Sequence, residues 1–320
     1  MKTATGSPLV SVVIPTYGRP EFLTDAVRSV VDQTYPNVEL VVVDDHSPEP
    51  VEPLLADVPF DDLTHAEVVR HEENRGGNAA RRTGIERSRG EFVAFLDDDD
   101  YWDQTLVDRV VSTFRESGPD VGVVIAGTRI VDENETELGV VIPDATGDVT
   151  EQILRGTVRS GSFSRFTVRR SAIEAAGLPD EQLPSWQDLE WHIRLSTVCQ
   201  YASLREAVVV RRVTSHDQIT DDFEAKRDVS YPVLLEKHRP LAAEFGTKTE
   251  RRFVATLTVT LGFSALRNGY YATAVRTFLS AIRYDPLIPR AYLYLLLALG
   301  GPFTYKPARG IRRRLQTAFG

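Results

Sequence analysis

Apolar and polar positions alternate in blocks over the first two-thirds of the chain. Five short runs are rich in β-branched and other apolar residues, which is typical of strands buried on both faces. These predicted strands cover residues 9–14, 38–43, 67–70, 91–96 and 121–126. Pro15 follows the first run directly, so we expect that strand to end there.

Longer stretches between these runs place apolar residues at helical spacing, and the first stretch opens with Pro20 at a first-turn position. The two clearest apolar stripes are Leu23, Ala26, Val27, Val30 and Val31, and Leu106, Val107, Val110, Val111 and Phe114. Strands that alternate with helices predict an α/β fold, with a mainly parallel sheet flanked by helices. In such folds, ligands bind at the carboxyl ends of the strands.

From about residue 214 the pattern becomes helical, with helices predicted over 257–266, 271–282 and 289–299. We therefore predict a catalytic domain over residues 1–213 and a helical region with a basic tail over 214–320. The last helix is shorter than the roughly 20 residues that span a bilayer, so no transmembrane helix is expected.

The composition is that of an ordinary globular protein, with 42% hydrophobic and 26% charged residues. A net charge of −9 argues against general nucleic-acid binding, which uses clustered Lys and Arg. The single cysteine, Cys199, excludes an internal disulfide and a thiolate zinc cage. Because the amino terminus has no apolar signal segment, we expect a cytoplasmic location.

Four consecutive aspartates, residues 97–100, follow the predicted strand 91–96 directly. Carboxylates gathered at a strand end repel each other unless a cation lies among them, and hard oxygen ligands favour Mg²⁺ or Mn²⁺. Magnesium commonly uses one or two carboxylates together with substrate phosphates, so the pattern predicts a nucleotide diphosphate as ligand. The alternative interpretation is a solvated acidic loop.

Three more polar segments follow predicted strands, at residues 15–19, 44–47 and 74–81. An aspartate can accept hydrogen bonds from a base or ribose, Tyr17 can stack on a ring, and Arg81 can neutralise a phosphate. Glycines such as Gly77 permit close approach of the backbone to a ligand. Each segment also has a structural alternative: Asp44 and Asp45 can cap a helix, and Arg81 can pair with a surface acid.

Residues 10–47, VSVVIPTYGRPEFLTDAVRSVVDQTYPNVELVVVDDHS, and residues 74–102, NRGGNAARRTGIERSRGEFVAFLDDDDYW, carry these motifs together. In this combination the sequence resembles the family 2 glycosyltransferases of the GT-A fold, over about residues 10–213. The resemblance implies a Rossmann-like nucleotide-sugar-binding domain. It also implies transfer of a sugar from a nucleotide diphosphate sugar to an acceptor.

The resemblance implies that Asp99 binds the metal and that Asp97 and Asp98 lie beside the ribose or the metal. The predicted donor-binding set is Pro15, Thr16, Tyr17, Arg19, Asp44, Asp45, Gly77, Arg81, Asp97 and Asp98. The predicted metal ligands are Asp97, Asp99 and His216, and the cofactor is Mg²⁺ or Mn²⁺. For His216, a surface histidine without function is the alternative.

Residues 186–195, WQDLEWHIRL, are similar to the family's acid-aspartate segment, and Asp188 matches its catalytic base. Gln187 departs from the pattern, since an acid is common there. An inverting transfer needs a carboxylate that takes the acceptor hydroxyl's proton during attack on the anomeric carbon. Glu190 is the rival candidate, and a helix N-cap is the structural alternative for Asp188.

The sequence therefore predicts a metal-dependent inverting glycosyltransferase, with two other classes to weigh against it. A nucleotidyltransferase that forms sugar nucleotides would carry a glycine-rich phosphate loop where residues 15–19 stand, so this class is disfavoured. A non-catalytic nucleotide-sugar binding module is the third class, and the aspartate run together with Asp188 argues against it.

The end of the chain is basic. No acidic residue follows Asp285, so the first 285 residues carry a charge of −15 and the remainder +6. An apolar helix over 291–299, followed by Arg309, Arg312, Arg313 and Arg314, predicts peripheral contact with the cytoplasmic face of an anionic membrane. The family resemblance suggests a polyisoprenyl-phosphate-linked glycan as acceptor. The alternative is that the helix packs on the catalytic domain and the arginines pair with its acids.

Overall fold

The computed structural model describes residues 6–158, 161–213 and 222–305. The chain forms two compact units. The first comprises Met1–Val149, Ser160–Glu181 and Arg194–Thr214, and the second comprises Thr150–Arg159, Gln182–Ile193 and Ser215–Gly320. The second unit thus includes two segments that precede residue 213. The two units divide the chain by contacts and do not test which residues carry the activity, so a catalytic domain over residues 1–213 stays a prediction.

One nine-stranded sheet forms the centre of the first unit in the described part of the chain. Its strands are β1 Val10–Thr16, β2 Val38–Asp44, β3 His65–Arg70, β4 Phe92–Phe95, β5 Asp100–Trp102, β6 Val121–Val131, β7 Glu137–Val141, β8 Phe166–Arg169 and β9 Gln200–Arg212. They lie in the order β3-β2-β1-β4-β8-β6-β9-β5, with β7 beside β6. Strands β1 to β4 are all parallel, and β8 joins them to β6 through antiparallel pairs. The predicted α/β class is confirmed.

Helices complete both units. They are α1 Pro20–Val31, α2 Gly77–Arg87, α3 Leu106–Ser117, α4 Thr150–Leu154, α5 Arg170–Ala176, α6 Gln187–Ser196, α7 Phe223–Ala225, α8 Tyr231–Glu244, α9 Thr247–Arg267, α10 Tyr271–Tyr284 and α11 Pro289–Leu299. Single turns of 3₁₀-helix cover Glu52–Leu55, Phe60–Asp62 and Phe163–Arg165, and a π-helical turn covers Lys226–Ser230. All five apolar positions predicted for α1, and all five for α3, are buried against one face of the sheet.

The first strand continues through Pro15, where the sequence predicted its end. Strand β1 pairs with β2 as far as Thr16, but its pairing with β4 ends at Val13. Beyond Val13 the strand therefore has a hydrogen-bonding neighbour on one side only. A residue without an N–H group is tolerated where the ladder is one-sided.

The second unit is helical in the described residues beyond 222, as predicted. Helix α9 packs against α8 and α10, and Phe253, Leu266 and Phe278 are fully buried there. Helix α9 begins ten residues before its predicted start, because the polar first turns lack the apolar pattern used for the prediction. Among the described residues, no helix combines the length and the apolar character needed to cross a bilayer.

Gly84→Ala tests how closely α2 packs on β1. A β-carbon on residue 84 would lie 2.2 Å from Val13 Cγ1 and 3.1 Å from Val13 Cβ. Alanine favours a helix by about 1 kcal/mol over glycine, but overpacking costs about 1–3 kcal/mol. We expect a net loss of unfolding free energy of up to about 2 kcal/mol in urea denaturation. Adding Val13→Ala should relieve the clash, so the double variant should lose less than the two single losses together. A Gly84→Ala protein more stable than wild type would contradict this packing.

Candidate active site

The carboxyl ends of four parallel strands form one edge of the sheet in the first unit. Thr16 at the end of β1 stands opposite Asp44 of β2, which stands opposite Arg70 of β3. Strand β4 ends at Phe95, two residues before the acidic run. The polar segments that follow these strands are therefore neighbours, as the parallel topology predicts.

Arg19 links two carboxylates of the acidic run. Its Nη1 atom lies 3.1 Å from Asp98 Oδ1 and 2.9 Å from Asp99 Oδ2. Thr16 Oγ1 donates to the other oxygen of Asp98 at 2.8 Å. The segment after β1 is thereby joined to the segment after β4 through charge-assisted hydrogen bonds.

Arg81 balances the first aspartate of the run. Its Nη2 atom lies 2.7 Å from Asp97 Oδ1, and its guanidinium carbon lies 3.8 Å from the centroid of the Phe163 ring. The backbone N–H of Asp97 donates to Ser164 Oγ at 3.1 Å. The carboxylate and the aromatic face hold this arginine at the strand ends, where the sequence predicted a phosphate-binding cation.

Asp100 anchors the run from within the sheet. It lies in β5 and is fully buried, and its carboxylate accepts Ser164 Oγ–H at 2.6 Å and the Arg212 N–H at 3.2 Å. Ser164 gave no signal in the sequence, because the single 3₁₀ turn that carries it has no motif. The four adjacent aspartates therefore divide into one structural residue and three at the strand ends.

Burial raises the pKa values of three of these carboxyl groups. It raises the pKa of Asp98 from its ordinary 3.8 to about 6, although Arg19 opposes the shift. Burial, and then repulsion from neighbouring aspartates, also raises the pKa values of Asp99 and Asp100. The positive charge of Arg19 and Arg81 therefore does not fully compensate the negative charge of the aspartate run. A bound cation would lower these pKa values.

Asp44 and Asp45 hold the loops that follow β2 and β3. Asp44 accepts the Ser47 N–H at 2.8 Å and pairs with Arg70. Asp45 accepts the backbone N–H groups of Arg75, at 2.9 Å, and of the following glycine, at 2.6 Å. Both carboxylates are buried, so their first role here is to shape the loops. Contact of either carboxylate with a donor stays a prediction.

His71 orients Asp45 and was not singled out from the sequence as a site residue. Its Nδ1 atom lies 2.7 Å from Asp45 Oδ1, and its Nε2 atom lies 2.9 Å from Thr83 Oγ1 of α2. The ring thus ties β2 to the first helix after the glycine-containing loop. A lone histidine without ligand spacing carries no motif, and only the fold brings it to Asp45.

An exposed aromatic side chain and several glycines at this edge of the sheet allow a ligand to approach closely. Tyr17 is 49% exposed and is free to stack on a planar ring. Gly18 has φ +67° and donates its N–H to Ser47 Oγ at 3.0 Å. Gly76 has φ +89° and directly precedes α2, which begins at Gly77. The first turn of a helix directed at this edge favours an anion.

Both candidates for the catalytic base lie on α6. Asp188 is the second residue of the helix and is half-buried. Trp186 just before the helix has φ +57°, an uncommon conformation for a bulky residue. Glu190 is fully buried, with Oε1 3.4 Å from His238 Nε2 and 3.8 Å from Lys237 Nζ. Because Glu190 is buried beside His238 whereas Asp188 is half-buried, Asp188 is favoured over Glu190 as the base.

The acidic run fits a hard divalent cation in the chemistry of its donors. Asp97 and Asp99 offer carboxylate oxygens, and one or two carboxylates suffice when substrate phosphates supply the other ligands. Arg19 lies between Asp98 and Asp99, and no cluster of three or more ligand side chains is gathered among the described residues. His216 lies outside the described residues and stays a predicted ligand.

Asp98→Asn tests the electrostatic state of the run by its effect on stability. A carboxyl pKa of about 6 in the folded protein, against 3.8 as its ordinary value, means that the folded state holds this proton more tightly. The unfolding free energy of wild type should therefore fall as pH rises from about 4 to about 6, and stay low above it. Between pH 4.5 and 7.5, Asp98→Asn should gain about 2 kcal/mol relative to wild type, measured by urea denaturation in chelator. The exposed Asp57→Asn is the control, and a pH-independent difference for Asp98→Asn would refute the assignment.

Comparison with known proteins identifies the family. Residues 11–177 match the model of the family described as glycosyl transferase family 2. TuaG of Bacillus subtilis, named for teichuronic acid biosynthesis, is 38% identical over 110 residues, which cover 34% of this chain and 43% of TuaG. The glycosyltransferase GlyA of Streptococcus pneumoniae is 32% identical over 114 residues, which cover 36% of this chain and 16% of GlyA. The matched region thus spans less than half of either relative.

Solved structures agree on the fold. TarS 1-349 of S. aureus in complex with UDP-GlcNAc superposes with a TM-score of 0.63 at 18% identity, covering 91% of this chain and 89% of that chain. The same protein without that ligand gives a TM-score of 0.59 at 20% identity, covering 87% and 81%. At this identity the likeness establishes the GT-A fold. Since the family model also matches more than half of the chain, the protein belongs to the family 2 glycosyltransferases.

Proposed function

We propose that this chain is a metal-dependent, inverting glycosyltransferase that moves a hexose-type unit from a nucleotide diphosphate sugar to an acceptor. The acidic run at the strand ends, balanced by Arg19 and Arg81, carries the proposal. It combines oxygen donors for a cation with guanidinium groups for phosphates, which is the chemistry that a diphosphate requires. The UDP-GlcNAc named for the TarS structure supports a nucleotide sugar as the donor class.

Asp97 and Asp99, with His216 as a further ligand, are the proposed holders of Mg²⁺ or Mn²⁺. That ion, when bound, neutralises charge on the departing diphosphate. Arg19 is shared between Asp98 and Asp99, and Arg81 is held by Asp97. Both arginines, which lie beside these carboxylates, would supply positive charge to the phosphates.

The segment after β1 is the proposed base and ribose site. Exposed Tyr17 stacks on the base, while Pro15 and Thr16 line the strand end beside it. Asp45, already oriented by His71, is the carboxylate proposed to accept a hydrogen bond from the base, with Asp44 as the alternative. Gly77 opens α2 and allows the backbone to approach the donor closely.

Asp188 is the proposed base. The acceptor hydroxyl oxygen forms a bond to the anomeric carbon while the bond from that carbon to the diphosphate oxygen breaks. Asp188 takes the hydroxyl proton, and attack opposite the leaving group inverts the anomeric configuration. Glu190, which is buried beside His238 and lies 3.8 Å from the exposed Lys237, is proposed to stabilise the helix that carries Asp188.

The proposed acceptor is a polyisoprenyl-phosphate-linked glycan at the cytoplasmic face of the membrane. The name of TuaG, which refers to teichuronic acid biosynthesis, supports glycan assembly as the setting. The charge distribution supports a membrane location, because the +6 segment after Asp285 is attracted to anionic lipid while the rest of the chain carries −15. Transfer to a lipid-linked acceptor, with none to the matching free sugar, would bear this out.

Asp99→Asn tests the role of the cation. The change keeps the shape of the side chain and removes its charge, so transfer dependent on Mn²⁺ or Mg²⁺ should fall by at least about 100-fold. Transfer is measured as the release of nucleoside diphosphate. The midpoint of urea denaturation checks that the variant is folded. Asp103→Asn is the matched control, because Asp103 follows the run but binds Thr105 on the protein surface. Wild-type activity of Asp99→Asn in chelator would overturn the assignment.

Asp188→Asn tests the role of the base. Asparagine retains the shape of the side chain but cannot take a proton, so kcat should fall about 10²- to 10⁴-fold while donor affinity stays near wild type. For an acceptor that is an ionised lipid phosphate the loss would be smaller. Glu190→Gln serves as the comparison, because it removes a fully buried carboxylate from its contacts with His238 and Lys237 and should lower the melting temperature. Equal loss of donor affinity in Asp188→Asn would point to a donor-site role instead.

A further inference from the structure

Helix α11 carries large apolar side chains on its exposed face. Only Arg290 among its eleven residues is charged. Ala291 and Ala298 are buried, whereas Leu293, Leu296 and Leu299 are 56%, 67% and 64% exposed. A helix on the surface of a water-soluble unit normally shows the reverse pattern, with large apolar residues inside. This face of α11 is thus built for an apolar neighbour.

The exposed apolar surface extends beyond both ends of the helix. Leu287 before it is 78% exposed, and Phe303 after it is 88% exposed. Tyr292, Leu296 and Leu299 follow one another at helical spacing of four and then three residues. We define the apolar ridge as Leu287, Tyr292, Leu293, Leu296, Leu299 and Phe303.

The charge of the residues near the apolar ridge indicates which kind of surface the ridge contacts. Beyond Glu250 the chain has eleven basic residues and one acid, Asp285. Arg276, Arg283 and Arg290 are exposed and form no ion pair with any described residue. Asp285 is already paired with Arg252 at 2.7 Å. A second copy of this unit would bring two like-charged surfaces together, whereas an anionic lipid surface complements both the leucines and the arginines.

From this geometry we propose that the apolar ridge inserts into an anionic bilayer surface, with α11 lying in the plane of the interface. At 1.5 Å per residue the eleven-residue helix is about 16 Å long, about half the apolar thickness of a bilayer, so it lies flat. Tyr292, whose hydroxyl donates to Pro286 O at 2.9 Å, has the amphipathic ring that favours this depth. The inference rests on the membrane location proposed above and assigns the contact to the ridge.

Flotation of the full chain with vesicles tests the ridge. Vesicles of phosphatidylcholine alone are compared with vesicles that also contain phosphatidylglycerol. Wild type should float with the anionic vesicles, and Leu293→Gln with Leu296→Gln should lower the bound fraction at least about tenfold. The control pair Leu54→Gln with Val198→Gln, both equally exposed at 43% in the first unit, should bind like wild type.

Three outcomes would overturn the inference. Wild type that does not float, or a ridge variant that floats as well as wild type, would show that the ridge is not the membrane contact. Sedimentation that shows a wild-type dimer, dissociated in the ridge variant and with no flotation, would assign the ridge to a second copy of the chain. Because no donor or acceptor is present, failure of the proposed transfer reaction would leave the flotation result unaffected.

Discussion

The fold places buried carboxylates side by side where a parallel strand ends, and the surrounding residues have to compensate for their charge. Arg19 bridges Asp98 and Asp99, and Arg81 binds Asp97. Burial still raises the pKa of Asp98 to about 6. Because the compensation is incomplete, a ligand that brings positive charge to the run would bind favourably there. The same charge balance therefore links the stability of the sheet edge to its function.

The second pair of acids acts through the backbone. Asp44 and Asp45 bind N–H groups of the following loops, and His71, the residue after β3, orients Asp45. A loop held by a buried carboxylate is preorganised, so donor binding there would cost less conformational entropy. The residues proposed to bind the donor therefore depend on a set of supporting bonds that reaches from the end of β2 to α2.

Periodicity predicted five of the nine described strands of the first unit, and the motifs predicted which strand ends the candidate site residues follow. The apolar stripes of α1 and α3 were predicted residue by residue, because burial against a sheet leaves a direct imprint on the sequence. The predicted end of β1 at Pro15 was wrong, because a proline is tolerated within a strand where one neighbouring strand has already ended. Ser164 and His71 were missed because long-range topology, with no local pattern, brings them to the acids. The sequence predicted α11 as an apolar helix. It did not predict that several leucines of α11 face outward, because packing decides which face of the helix is buried.

The most direct test of the central claim is calorimetric titration of the wild-type chain with nucleoside diphosphates. UDP, GDP, CDP and dTDP are each titrated in Mn²⁺ and again in chelator. If the carboxylate run and its arginines form a cation-assisted diphosphate site, at least one nucleotide should bind at least about tenfold more tightly with Mn²⁺. Binding of equal affinity in chelator, or no binding of any of the four, would contradict it.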